Sequence, residues 1–164
     1  MKLALHSTSD GIVEIRLLEA ADLQATLSWR NRDENRRWFI NSNVIEWNDH
    51  VKWFESYQKK SNDFVFIIEA DGELVGQCAV YGIDLQQKRA EVGRFLVSPD
   101  SAGKGYIKRG CQLLIETCWQ QLALDSVFLE VLEENVRAIK LYEKLGFNEV
   151  SRKGKLIVLE LNRL

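Results

Sequence analysis

Gly103, Lys104 and Gly105 sit where a chain can grip an anion. The apolar run Phe95, Leu96, Val97 precedes them, and a helical pattern follows. In that pattern Ile107, Cys111, Leu114, Ile115, Cys118 and Leu122 recur at intervals of three and four. The spacing predicts a strand, a glycine turn and a helix start, in that order. Glycine lets backbone N–H groups approach a ligand closely, and the first helical turn leaves its own N–H groups unpaired at the positive end of the helix dipole. Lys104 adds a cation. This arrangement suits a pyrophosphate; the plainer reading is a helix-start turn, where glycine pairs are common. Walker A needs four residues between its first glycine and a Gly-Lys-Ser/Thr, and here only Lys104 separates the two glycines. A dinucleotide fingerprint would need glycine where Lys108 stands.

A second chemical segment lies downstream. Val127 to Val131 alternates as a strand and leads into Asn135-Val136-Arg137-Ala138-Ile139-Lys140-Leu141-Tyr142-Glu143-Lys144-Leu145-Gly146-Phe147. Asn135 is a favourable N-cap, Ala138, Ile139, Tyr142 and Leu145 share one helical face, and Gly146 suits a left-handed C-terminal cap. Together with Gly103-Lys104-Gly105, the pattern Asn135-x-x-Ala138-x-x-x-Tyr142-Glu143-Lys144-Leu145-Gly146-Phe147 resembles the GNAT superfamily of acetyl-CoA-dependent N-acetyltransferases, over nearly the whole chain. At the defining positions of that family's phosphate pattern, Gln/Arg-x-x-Gly-x-Gly/Ala, this chain carries Ala102, Gly105 and Ile107.

The resemblance implies direct attack of a primary amine on acetyl-CoA, with no covalent enzyme intermediate and no metal. Acetyl transfer needs an acceptor that has lost a proton, a donor to the developing oxyanion, a proton for the leaving thiolate and a held cofactor. By resemblance Tyr142 protonates the thiolate, the Phe95 amide meets the oxyanion, and Val97 holds the pantetheine arm. The cofactor-binding set it implies is Phe95, Leu96, Val97, Ala102, Gly103, Lys104, Gly105, Tyr106, Ile107, Asn135, Ala138 and Tyr142. Glu91, four residues before Phe95, is the candidate base, since some members carry a glutamate there; the alternatives are a substrate-amine anchor or an exposed strand charge. Desolvation in a cleft beside Phe and Trp side chains would raise its pKa toward the useful range.

The N-terminal third resembles the branch that acetylates nucleotide-linked amino sugars in pseudaminic acid synthesis. Trp29, Arg30, Arg37 and Trp38, with Glu91, are the substrate-binding candidates: aromatic rings stack on a base or sugar, and guanidinium groups meet a diphosphate. For most aromatics in the 29–57 span a core role is the plainer expectation, and His50 reads as a helix-start packing residue. Other acceptors the family allows are a protein N-terminus, as in the ribosomal-protein acetyltransferases, a polyamine or an aminoglycoside. A non-catalytic acyl-CoA-binding module is the alternative outside enzymes.

These residues need a frame. Ile12 to Leu18 alternates as a strand; Ala20 to Trp29, Asp33 to Ile40 and Trp47 to Lys59 read as helices. Phe64 to Ala70 and Glu73 to Tyr81 form a hairpin turned by Asp71-Gly72. Lys88 to Val97 is a central strand, Lys104 to Leu122 and Asn135 to Leu145 are helices, and Phe147 to Ser151 pairs with Leu156 to Leu161. The pattern is α/β, and the resemblance implies a GNAT fold: one mixed, mostly antiparallel twisted sheet flanked by helices, with a splay between two central parallel strands. The nearly all-apolar 156–161 strand suggests burial on both faces or against a partner, so a homodimer is one reading.

At 164 residues, 46% apolar and 28% charged, the chain reads as one domain over 1–164. A net charge of −2 gives no overall pull toward nucleic acid or anionic membrane. Asp10, Glu14 and Arg16 interrupt any signal-peptide core, and no apolar run is of bilayer length. Cys78, Cys111 and Cys118, with only His6 and His50, assemble no zinc site and read as buried free thiols of a cytoplasmic protein.

Overall fold

Alternation along the strands and a period of 3.6 along the helices divide the described residues into one large sheet and five α-helices. The structure, a computed structural model, describes residues 2–164. The strands are β1 (Thr8–Ser9), β2 (Val13–Leu17), β3 (Asp63–Ala70), β4 (Glu73–Asp84), β5 (Arg89–Val97), β6 (Ser126–Leu132), β7 (Asn148–Lys153) and β8 (Leu156–Asn162). The helices are α1 (Leu23–Asn31), α2 (Asp33–Arg36), α3 (Trp47–Lys59), α4 (Tyr106–Gln120) and α5 (Val136–Lys144). Across the sheet the order is β1-β2-β3-β4-β5-β6-β8-β7, antiparallel throughout except between β5 and β6.

Both faces of this sheet are covered, which is why β3 reads as an unbroken apolar run rather than an alternation. On one face α4 lays Cys111, Leu114 and Cys118 against Ile15, Phe66 and Val80, and α5 adds Tyr142. On the other, α1 and α3 press Leu23, Phe54 and Tyr57 onto Val65, Ile67 and Ala79. At about 25 cal/mol per Å² of apolar surface removed from water, such burial is the main stabilising contribution.

The parallel pair is short. Arg89, Ala90 and Glu91 pair with Ser126, Val127 and Phe128, and there the ladder ends, although β5 runs on to Val97 and β6 to Leu132. A bulge in β5 accompanies the separation. Ala79 pairs with Gly93 and Gln77 with Leu96, leaving one extra residue on β5. Arg94 lies in the left-handed region at φ 53°, and its carbonyl accepts a hydrogen bond from Gln77 Nε2 at 2.9 Å.

Several elements depart from their expected bounds. A short β1 precedes β2. The expected 33–40 helix ends at Arg36, because the backbone tightens into i→i+3 turns (Trp38 to Asn35, Phe39 to Arg36) while Asn35 Nδ2 donates to the Trp29 carbonyl. Helix α4 begins at Tyr106 rather than Lys104, since Gly105 caps it at φ 79°. The apolar 156–161 strand is interior, with β6 and β7 as neighbours, so one chain accounts for its burial.

Candidate active site

A cavity of about 880 Å³ opens where β5 and β6 part. Three elements frame it. The free stretch of β5 supplies Val92 to Val97, with backbone groups unpaired on the β6 side. The 101–105 turn and the start of α4 form a second side, and α5, from its cap Asn135 through Ala138 and Tyr142, forms the third.

The turn has the local structure the glycines dictate. After the single helical turn Pro99–Ser101, Gly103 lies at φ 80° and Gly105 at φ 79°, conformations that L side chains rarely adopt. No side chain caps α4, so its first-turn N–H groups are left open beside the cavity. Lys104 itself is not among the lining residues. Beside the turn and α5 the basic groups that line the cavity are Lys108 on α4 and Arg137, Lys140 and Lys144 along one face of α5, while Arg30 and Arg94 line it as well. Helix α5 is fixed by Asn135, whose Oδ1 accepts from the Ala138 amide at 3.4 Å.

Tyr142 is 8% exposed and packs with its ring centroid 5.7 Å from that of Phe95 and 6.1 Å from that of Phe147. Burial raises its pKa above the ordinary tyrosine value, with smaller contributions from Cys111 and Tyr81, so the hydroxyl stays protonated at neutral pH. Glu91 is half-buried on β5. Desolvation first, and then the charge of Glu130, raise its pKa, while a hydrogen bond from Tyr81 and the charge of Arg94 oppose the rise. Burial is thus the largest contribution, as expected, and Glu130, Tyr81 and Arg94 add to or oppose it.

The acceptor candidates divide. Arg30, Trp38 and Glu91 line the cavity. Trp29 does not: it is 6% exposed on the inward face of α1, where a helical period places it in the core. Arg37 is also absent from the lining, its guanidinium carbon lying 4.3 Å from the centroid of the Trp38 ring. Arg32 and Arg36 are taken up by Glu34 and Asp33. Arg30 stacks on Phe39 at 4.3 Å and donates through Nη2 to the Asn41 carbonyl. Its Nη1 is buried without a hydrogen-bond partner among the described residues. His50 is buried in α3, stacked on Trp53 at 5.5 Å and 3.3 Å from Thr26 Oγ1. Burial lowers its pKa, and it packs the α1–α3 interface.

Sequence reasoning missed Tyr81, Gly93, Arg94, Glu130 and the α5 basic face, all of which line the cavity. The basic face was findable, since Arg137, Lys140 and Lys144 recur at helical spacing. So was Glu130, which strand alternation puts on the Phe128 face. Among the described residues no group of His, Cys, Asp and Glu could hold a metal ion, and no helix is long and apolar enough to cross a membrane. The three cysteines are buried free thiols, with Cys111 and Cys118 pushed up to about 12 by burial.

Residues 13–148 match the family model described as an acetyltransferase (GNAT) domain. A spermidine N(1)-acetyltransferase of Escherichia coli (strain K12) is 28% identical over 136 residues, covering 83% of this chain and 73% of the relative. Among solved structures, a spermidine N-acetyltransferase from Vibrio cholerae in complex with CoA and spermine superposes with a TM-score of 0.86 at 19% identity, covering 93% of this chain and 96% of that one. FdhC, described as a nucleotide-linked sugar GNAT, superposes at 0.83 with 18% identity, covering 99% and 91%. At these identities the two structures speak to the fold.

Proposed function

This chain belongs to the GNAT acetyltransferase family, and from that premise we propose how its cavity divides the work. The protein is an acetyl-CoA-dependent N-acetyltransferase acting on a small-molecule amine. In the proposed arrangement the pyrophosphate meets the open N–H groups of the 103–107 turn, with Lys108 and the α5 basic face supplying charge. The free edge of β5 holds the pantetheine arm, and the Phe95 amide, aimed by the bulge at Arg94, stabilises the oxyanion. Glu91 takes a proton from the incoming ammonium. The amine nitrogen then bonds to the thioester carbon, the C–S bond breaks, and the thiolate takes the Tyr142 hydroxyl proton. The second proton that the nitrogen sheds as the neutral amide forms restores the Tyr142 hydroxyl, while Glu91 returns its proton to solvent. The low dielectric that raises the Tyr142 pKa also raises the proton affinity of the thiolate, so donor and acceptor stay matched. The observation that carries this reading is that one cavity joins the unpaired β5 edge, the glycine turn, Tyr142 and Glu91.

For the acceptor we propose an amine that also carries an anionic group, with a nucleotide-linked amino sugar as its form. Arg30 supports this, because its buried Nη1 lacks a partner and an incoming oxygen would supply one. Trp38 and Phe39 offer rings beside it. A polyamine is the second reading, favoured by Glu34, Glu91 and Glu130 in the same lining. Competition separates them. Uridine diphosphate should compete with the acceptor and not with acetyl-CoA, weakening as salt rises through about 0.1 M, where screening shortens to roughly 10 Å. Turnover of spermidine with no effect of uridine diphosphate would establish the polyamine reading instead.

A further inference from the structure

Glu91 does not stand alone in the cleft. The register aligns Asp63 on β3 with Tyr81 on β4, and Tyr81 with Glu91 on β5, so these three residues lie in one row across the sheet. The Tyr81 hydroxyl donates to Glu91 Oε2 at 3.2 Å. Its ring is clamped from the side by Arg94, whose guanidinium carbon lies 4.0 Å from the ring centroid, and Arg94 is in turn tied to the buried Asp63 through Nη1–Oδ1 at 2.8 Å. Gly93 completes the seat. A Cβ built there would collide with the Tyr81 hydroxyl oxygen, so glycine is what leaves room for the phenol to reach Glu91.

We infer that Tyr81 is a positioning residue: its hydroxyl fixes the Glu91 carboxylate at the mouth of the β5–β6 splay, and Gly93, Arg94 and Asp63 build the seat that holds its ring. The inference rests on the reading of Glu91 as the base. A carboxylate on a strand has rotamer freedom, and a general base needs a fixed oxygen within reach of the proton it abstracts. The Tyr81 bond supplies that constraint. It also favours the charged carboxylate, as does Arg94, against desolvation and the Glu130 charge from β6. The same cavity is also lined by Arg30 of α1, Glu34 of α2, Tyr106 and Lys108 of α4, and Arg137, Lys140, Tyr142 and Lys144 of α5. Burial, and then the Glu91 charge, raise the pKa of Tyr81 itself, so it remains a donor throughout the working range.

The test is a carbon-13 titration of glutamate carboxyls in the whole, ligand-free chain, with the Glu91 signal assigned by its loss in Glu91→Gln. In the wild type Glu91 titrates above the ordinary carboxylate range. In Tyr81→Phe, which keeps the ring and its packing, the midpoint moves further up, because an interaction with the charged form has been removed. Gly93→Ala displaces the hydroxyl and moves it the same way. Each unit of upward movement removes roughly tenfold of the ionised fraction at a pH below the midpoint. An unmoved Glu91 midpoint in a Tyr81→Phe protein with wild-type melting overturns the inference. Activity separates that failure from failure of the underlying reading. Thiol release from acetyl-CoA, with spermidine and with a uridine diphosphate-linked amino sugar as acceptors, is compared for wild type and Glu91→Gln. If Glu91→Gln keeps wild-type turnover, Glu91 is not the base and both readings fall. If Glu91→Gln is impaired and the Tyr81→Phe midpoint is unmoved, only the positioning role falls.

Discussion

In the proposed mechanism Tyr142 and Glu91 carry opposite halves of one proton account, and each makes its own prediction. Replacing Tyr142 with Phe keeps the ring against Phe95 and Phe147 and removes only the donor. Turnover should fall on the order of 100-fold while the Kd for acetyl-CoA, read by calorimetry, stays within about twofold. Equal losses in both would make Tyr142 a packing residue. Glu91 works as a base only when ionised, and its folded pKa is raised above the usual 4.5. Activity is therefore present above that raised value and lost as pH falls through it, so the acid limb of the kcat/KM profile should lie above the ordinary carboxylate range. A limb at or below that range would contradict the environment described. At this scale Tyr142 and Asn135 were legible in the sequence, because a helix period and a capping preference fix their surroundings locally. Tyr81 and Gly93 were not, because their relation depends on the register of neighbouring strands, which brings together residues ten or more apart in sequence. Trp29 misled for the same kind of reason: an aromatic beside an arginine looks like a binding pair until the helix turns it inward.

In the proposed arrangement, the strand–turn–helix unit around Gly105 is the element on which cofactor affinity depends. Gly105 caps α4 at φ 79°, and nothing lies within 4 Å of the position a Cβ would take. A substitution there is resisted by backbone conformation rather than by collision, at about 1–2 kcal/mol. Gly105→Val should relax the left-handed turn and move its N–H groups away from the cavity. Acetyl-CoA affinity should fall about tenfold, with the melting temperature changed by only a few degrees. Unchanged affinity would show that the turn is a helix start and nothing more. The elements themselves were nearly all legible: α3 spans Trp47–Lys59 as its periodicity predicts, and the Asp71-Gly72 hairpin falls where its turn residues place it. The short α2 was not, because the backbone beyond Arg36 tightens into i→i+3 turns while Asn35 donates back to the Trp29 carbonyl, and no local period marks either. The β5 bulge was not either, since an extra residue in a strand has no mark in an apolar alternation.

For the whole molecule, the deciding feature is that the sheet opens between β5 and β6, the only parallel pair among the described residues, which lets one cavity reach helices on both faces. Helix α5, which packs with α4 on one face, brings Tyr142 and the basic residues to it; α1 and α2, from the other, bring Arg30 and Glu34. The order of β-elements was legible because hairpins and crossovers leave distinct signals. The site of opening was implied only by family resemblance, because no residue type marks where a ladder stops. Net charge is as uninformative about the acceptor as it is about the fold: the lining mixes Arg30 and Arg94 with Glu34, Glu91 and Glu130. One measurement tests the account of an acetyl-CoA-dependent amine acetyltransferase most directly. Acetyl-CoA is incubated with the protein and, separately, with uridine diphosphate-linked amino sugars, polyamines and N-terminal peptides, and released CoA thiol is compared with acetylated amine by mass spectrometry. The account predicts equal amounts of both products, with the nucleotide-linked amino sugars as the class that turns over. Saturable binding of acetyl-CoA with no thiol released for any of these amines would contradict it.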